Sequence, residues 1–468
     1  MPADGPEIRT SETISSVRVW GPRFLGVVLV GLAGCVLVGM PWALSALTMT
    51  ALAVLVLGAW QPVVAALAIT GLAVLDGHAA DTLQPTLSLL TGGLWRYNTI
   101  GYAFAVVALI GLPSVLRRRD RHTRFAQALA VVMCVGLLWS PDRLHGLQLL
   151  LDVVAFFGLL FVFTRIAHDP ECWDWIGVVG GTLGAGAGLA YVVNIGHMRY
   201  TNPNVAVFVP LTGMMAICLA FGGGTRAPKR QALLGMLAVV NLLWAFLSTS
   251  RGGLLIGLAC LTFIGFQAQG GRRRALILGS AVVGGLLVTS VFTPLQRTAV
   301  ERFSLLFDQN AGLRTRTSGR SELVVGSWEI FRKNPFGVGT GGFEATWATL
   351  GSVGGQRRFI RAGEKFAAHA GWMRILAENG FLGFGVLAAF VGSFAVAGWA
   401  RQQPARHLGL LATVGLALAL VTSEFHLKGL FFVAAGVAAL LDVRLRTSRP
   451  LHRRLPTLTG SAPGKDDC

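Results

Sequence analysis

About fourteen mostly apolar stretches recur along this chain, near 24–40, 43–60, 62–76, 99–116, 125–140, 144–166, 174–194, 204–222, 232–249, 252–269, 276–293, 380–400, 407–422 and 428–443. A helix needs roughly 20 apolar residues to cross a bilayer, with about 17 as a lower limit; 62–76 and 428–443 are short by that measure. Hydrocarbon offers no hydrogen bonds, so each crossing segment has to satisfy its own backbone, as a helix does. The expected fold is an all-α polytopic membrane protein with about 12–14 transmembrane helices and one large outer loop containing short helices. Composition agrees: 53% of residues are hydrophobic and 13% charged, too apolar for a soluble core.

The formal charge of +18 points away from nucleic acid, because the arginines fall in short clusters between apolar stretches and not along one amphipathic face. Basic residues are enriched in short loops that stay inside. With the N-terminus inside, every dense cluster lands on one side: Arg117-Arg118-Arg119-Asp120-Arg121, Arg226 with Lys229 and Arg230, Arg272-Arg273-Arg274, Arg401 with Arg406, and Arg444 to Arg454. The expected organisation is a cytoplasmic tail (1–23, read as a tail and not a cleaved signal), spans one to eleven (24–293), an outer loop (294–379), spans twelve to fourteen (380–443) and a cytoplasmic basic tail (444–468). The six cysteines, Cys35, Cys134, Cys172, Cys218, Cys260 and Cys468, form no CxxC pair, so neither a disulfide framework nor a zinc site is indicated.

The outer loop is the only extramembrane piece large enough to shape a site. Apolar residues at helical spacing predict a helix over 321–333, ended by Pro335 and Gly337, Gly339, Gly341 and Gly342. A second helix is expected from near Ala368 to Glu378, stopped by Asn379-Gly380.

Isolated basic residues on the outer side, chiefly Arg96, Arg143, Arg199 and Arg251, are not explained by charge sorting. Four features gather there: Arg199 before Asn202-Pro203-Asn204; Ser248-Thr249-Ser250-Arg251-Gly252-Gly253 between two spans; Gly319-Arg320 opening the first loop helix; and His369 with Arg374 and Glu378 after it. A single arginine at a bilayer boundary is often a snorkelling anchor, and Ser250-Arg251-Gly252-Gly253 also reads as an ordinary capped turn. Several arginines on one face instead suit a diphosphate, since the planar guanidinium donates paired hydrogen bonds to phosphate oxygens. Ser250 is positioned to cap the helix after it and leave a positive helix end beside Arg251. A lone histidine is usually structural, but His369 lies where a lipid-borne substrate arrives, and imidazole suits taking a proton from a hydroxyl. Glu378 is the alternative base or the orienting partner. The chain has no DxD, GxxxxGKS/T, HExxH or GxSxG motif, and its first outer loop is little more than Met40-Pro41. A metal-free transfer resting on arginine charge, with no cofactor, fits better.

Three stretches resemble the O-antigen ligase and polymerase superfamily: Ser248 to Gly253; Gly319-Arg320 through Trp328 to Pro335-Phe336-Gly337-Val338-Gly339; and His369-Ala370-Gly371-Trp372-Met373-Arg374-Ile375-Leu376-Ala377-Glu378-Asn379-Gly380-Phe381-Leu382-Gly383. The resemblance covers roughly 190–400. It implies an inverting, metal-independent glycosyltransferase of the bacterial inner membrane, with its active site in the periplasmic loop. The donor it implies is an undecaprenyl-diphosphate-linked oligosaccharide, and the acceptor a glycan or lipid-linked sugar. By the resemblance, Arg199 and Arg251 would contact the diphosphate and His369 would stand near the attacking hydroxyl; the gathering of residues on the outer face adds Arg320 to the expected diphosphate contacts and Asn202, Asn204, Ser250 and Arg374 as expected substrate-positioning residues. Relatives commonly have Asn where this chain has Ala370, so its acceptor is expected to differ. The extra spans over 407–443 tilt the reading from ligase towards polymerase. A transporter or flippase should show an internal repeat and charged or broken helices at mid-membrane; no repeat is evident, and Asp152 is among the few acids within a span.

Overall fold

A computed structural model describes residues 62–71, 73–74, 116–193, 203–223, 227–247, 251–268, 271, 308, 320–349, 370–422 and 428–447. Twelve helices run through them: α1 (Pro62–Gly71), α2 (Arg121–Gly136), α3 (Arg143–Ile166), α4 (Pro170–Val193), α5 (Pro203–Gly222), α6 (Pro228–Leu247), α7 (Arg251–Gln267), α8 (Arg320–Lys333), α9 (Phe343–Thr349), α10 (Gly371–Trp399), α11 (Gln403–Thr422) and α12 (Lys428–Thr447). No strand occurs among the described residues. Five of these helices are long and apolar enough to cross a bilayer: α2 with the 3-10 turn after it, α3, α6, α10 and α11. The protein is an all-α multi-pass membrane protein.

Local chemistry sets the helix starts. Asp120 caps α2 by accepting from the Thr123 amide at 2.9 Å, Asp142 caps α3 by accepting from the His145 amide at 3.0 Å, and Asp169 accepts from the Glu171 amide at 2.9 Å before α4. Proline opens α4, α5 and α6, where its missing N–H is not needed.

Helix α3 is the central post, with 78% of its spanning window buried. Its Phe156 meets Phe390 edge-on at 5.4 Å and Phe431 at 6.2 Å, and its Phe163 stacks on Trp173 at 5.5 Å. Between α4, α5 and α6 the packing is closer and polar. Asn241 donates to Gly181 O at 2.9 Å and Leu237 O at 2.8 Å. A Cβ at Gly184 would lie 2.3 Å from Asn241 Oδ1, so glycine is what admits the amide. Lipid supplies no hydrophobic drive between helices, and small residues with buried amides take over that work. Val131, Val135, Met236, Leu255 and Val396 point outward, apolar side chains for which hydrocarbon is the solvent. Cys134, Cys172, Cys218 and Cys260 are free thiols.

The two ends of α2 differ in chemistry. At its start Arg118 bridges Asp120 at 2.9 Å and Asp442 of α12 at 3.0 Å. At its finish lies the polar turn of residues 334–342. The 19 residues between extend about 28 Å at 1.5 Å each, close to the roughly 30 Å of a hydrocarbon core.

The helix expected over 321–333 is α8. The loop helix expected to reach Glu378 and the span expected over 380–400 form α10, broken at Gly380, whose φ of 63° and ψ of −161° are not helical. The loop helix begins at Gly371, later than Ala368. Sequence reading did not anticipate the short α9.

Candidate functional site

Where α10 breaks, the turn after α8 docks. The helical segment 371–379 leaves its last carbonyls without intrahelical donors, and the turn supplies them: Val338 N donates to Ala377 O at 3.0 Å and Gly339 N to Glu378 O at 2.9 Å. In return Phe381 N, past the break, donates to Pro335 O at 3.2 Å. The approach is so close that glycine is required on both sides. A Cβ on Gly337 (φ 89°) would lie 2.2 Å from Glu378 O, and one on Gly380 2.2 Å from Pro335 O.

The same turn closes the end of α2. Thr340 N donates to Gly136 O at 3.3 Å, and Trp139 Nε1 donates to Gly337 O at 3.3 Å. Thr340 Oγ1 lies 2.8 Å from Met133 O and 2.8 Å from Asn379 Oδ1. One hydroxyl proton serves one acceptor; with the Asn379 amide turned over, its otherwise unpartnered NH2 donates to Thr340 and Thr340 donates to Met133. Beneath the turn, Leu323, Ile330, Phe343, Trp347 and Ala377 form a small apolar core joining α8, α9 and α10.

A buried charge pair lies within this assembly. Arg374 Nε donates to Glu378 Oε1 at 2.9 Å, and both side chains are 0% exposed. The same carboxylate oxygen accepts from Phe343 N at 3.3 Å, at the start of α9. Arg374 Nη2 meets Nε2 of His145 from the first turn of α3. The His145 nitrogen is 3.9 Å from Glu344 Oε1 of α9. Side chains from α3 and α10 thus meet the guanidinium, and α9 adds the Phe343 amide beside Glu378 and Glu344 beside His145.

Residues 234–388 match the Wzy_C family, described as O-antigen ligase. The chain carries a domain of the O-antigen ligase and polymerase superfamily. The matched region runs from within α6 into the second half of α10 and includes the whole turn and the Arg374–Glu378 pair. No curated protein matches the chain.

Of the residues singled out from sequence in and around the matched region, the structure brings Arg374 and Glu378 together, one helical turn apart. Arg251 opens α7, Arg320 opens α8 and Asn204 is the second residue of α5, but their side chains lie outside the described residues, as do Arg199, Asn202, Ser250 and His369 altogether. Arg143, noted as a basic residue that sorting does not explain, donates to Leu138 O at 3.1 Å and so ties down the 3-10 turn ending α2. Sequence reading missed His145, Thr340 and Glu344. For His145 a signal existed, a histidine one turn after the Pro141-Asp142 cap; for Thr340 and Glu344 no local pattern marks them. Among the described residues no group of three or more His, Cys, Asp or Glu is placed to hold a metal ion.

Proposed function

We propose that the chain is a glycosyltransferase of the bacterial inner membrane that polymerises surface polysaccharide. It moves an oligosaccharide from an undecaprenyl-diphosphate carrier to an acceptor sugar hydroxyl on the periplasmic face, with both termini cytoplasmic. The observation that carries the reading is that the family match takes in the docked turn and the buried ion pair. Segment 371–379, which begins two residues after His369, is held by the turn and by the buried Arg374–Glu378 pair.

The acceptor oxygen attacks the anomeric carbon, the bond from that carbon to the diphosphate oxygen breaks with inversion, and the hydroxyl proton passes to His369. Arg199, Arg251 and Arg320 balance the charge on the departing diphosphate, while Asn202, Asn204 and Ser250 orient the substrates. Diphosphate is already a good leaving group, so positioning and fixed charge supply the catalysis without metal or cofactor. Glu378 takes the second of its two expected roles: with no exposure to solvent it orients. Arg374, equally buried, positions substrate through the segment it holds.

Arg251→Ala and His369→Ala should each leave expression intact and abolish polymer in a strain lacking the native gene. Normal polymer from both variants overturns the site. The family description favours a second reading, ligation of finished glycan onto a lipid core. Deleting the gene separates the two, since single-repeat products mark a polymerase and full-length glycan stranded on its carrier marks a ligase.

A further inference from the structure

His145 stands beside the buried pair, yet neither charge sorting nor the family-like stretches single it out. It occupies the first turn of α3, fixed there by Asp142, which accepts from its amide at 3.0 Å. Its side chain is 24% exposed, and that of Glu344, whose Oε1 is 3.9 Å from Nε2, is 21% exposed. Behind Nε2 lies Arg374, and behind Arg374 lies Glu378, both fully buried. Two of the four side chains are thus buried, and the two beside them, His145 and Glu344, are partly exposed.

A guanidinium has five N–H donors and no acceptor. Nε2 of His145 therefore meets Arg374 with its lone pair, and the imidazole in this arrangement is neutral with its proton on Nδ1. An imidazolium has no lone pair to give and sets a second cation against Arg374, with Glu344 as its nearest carboxylate. Among the described residues, the charged groups around His145 are Asp142 at its own helix start, Glu344 from α9, and Arg374 and Glu378 from α10.

We propose that His145 is a positioning residue of the transfer site. As a neutral imidazole it holds Arg374 and, through it, ties α3 to the segment that follows His369; protonation breaks the tie. The inference rests on the transferase reading above and adds a second histidine that must be unprotonated for transfer.

The test uses the full-length protein in nanodiscs with a lipid-linked donor and acceptor, comparing wild type, His145→Gln and His145→Ala. Glutamine offers a carbonyl oxygen in place of Nε2 and does not titrate. His145→Ala should lower kcat/KM on the order of 10- to 100-fold, and His145→Gln should restore most of that loss. As pH falls, the logarithm of kcat/KM should drop more steeply in the wild type, where both His369 and His145 take up a proton, than in His145→Gln, where His369 alone does. A second arm reads the contact without catalysis: on acidification the unfolding midpoint should drop further in wild type than in His145→Gln. A His145→Ala enzyme with wild-type activity, or equal slopes in wild type and His145→Gln, overturns the proposal. If the wild type forms no product from the lipid-linked donor, the transferase reading fails instead, and if His369→Ala keeps wild-type activity the site assignment fails; in either case the unfolding arm still reports on His145 and Arg374.

Discussion

Arg374 and Glu378 form an ion pair at 2.9 Å with neither side chain exposed to solvent. Burial makes the pair asymmetric in its energetics: together the two charges offset most of their desolvation, but either one alone is a charge without compensation. Glu378→Gln or Arg374→Met should each destabilise the protein by about 3–5 kcal/mol, read as a fall in unfolding midpoint in detergent. Arg374→Met combined with Glu378→Leu should be less destabilised than the sum of its parts.

Gly380→Ala tests the docking of turn on helix. Its φ of 63° costs a residue with a Cβ about 1–2 kcal/mol, and Pro335 O, 2.2 Å from that Cβ position, must move as well. Protein should still insert, with the turn displaced and transfer reduced at least about tenfold. Wild-type turnover in this variant would show that the turn plays no part in the site.

Thr340→Val removes a hydroxyl that satisfies a carbonyl at the end of α2 and reaches Asn379. Since valine keeps the shape, the loss of about 1–3 kcal/mol expected for stranding buried polar groups isolates the hydrogen bonds. Thr340→Ser should recover most of it in the same unfolding measurement.

At the other end of α2, burial pushes the Asp120 carboxyl up, but the His122 charge, the Thr123 amide and the Arg118 guanidinium outweigh it and hold the group below its ordinary 3.8. A depressed carboxyl stabilises the fold above its unfolded value and loses that contribution as pH falls through its folded value. Asp120→Asn keeps the cap and deletes the charge. Its stability deficit relative to wild type should be constant near neutral pH and close as pH drops below the ordinary carboxyl range.

Much of the fold is legible in sequence because hydropathy and helix punctuation are local. α8, the Pro335 turn and the interruption at Gly380 were each readable from a few consecutive residues. The Arg374–Glu378 spacing was visible too, as one helical turn, but its burial was not. Whether an arginine faces lipid headgroups or a protein interior depends on α3 and α9, more than 200 and about 30 residues away along the chain. Thr340 and His145 show the same limit, for each acquires its role from a partner that no spacing rule connects to it.

The turn fastens the end of α2 to the break in α10 and Arg374 meets the start of α3, while Arg118 and Asp442 fasten the far end of α2 to α12. Helices that tilt to match a thinner or thicker bilayer cannot do so independently under those constraints, and any difference in tilt is passed to the turn as shear. Acyl-chain length thereby becomes an input to the geometry around Arg374, so reconstitution in lipids of graded length would tune this protein as surely as substitution does.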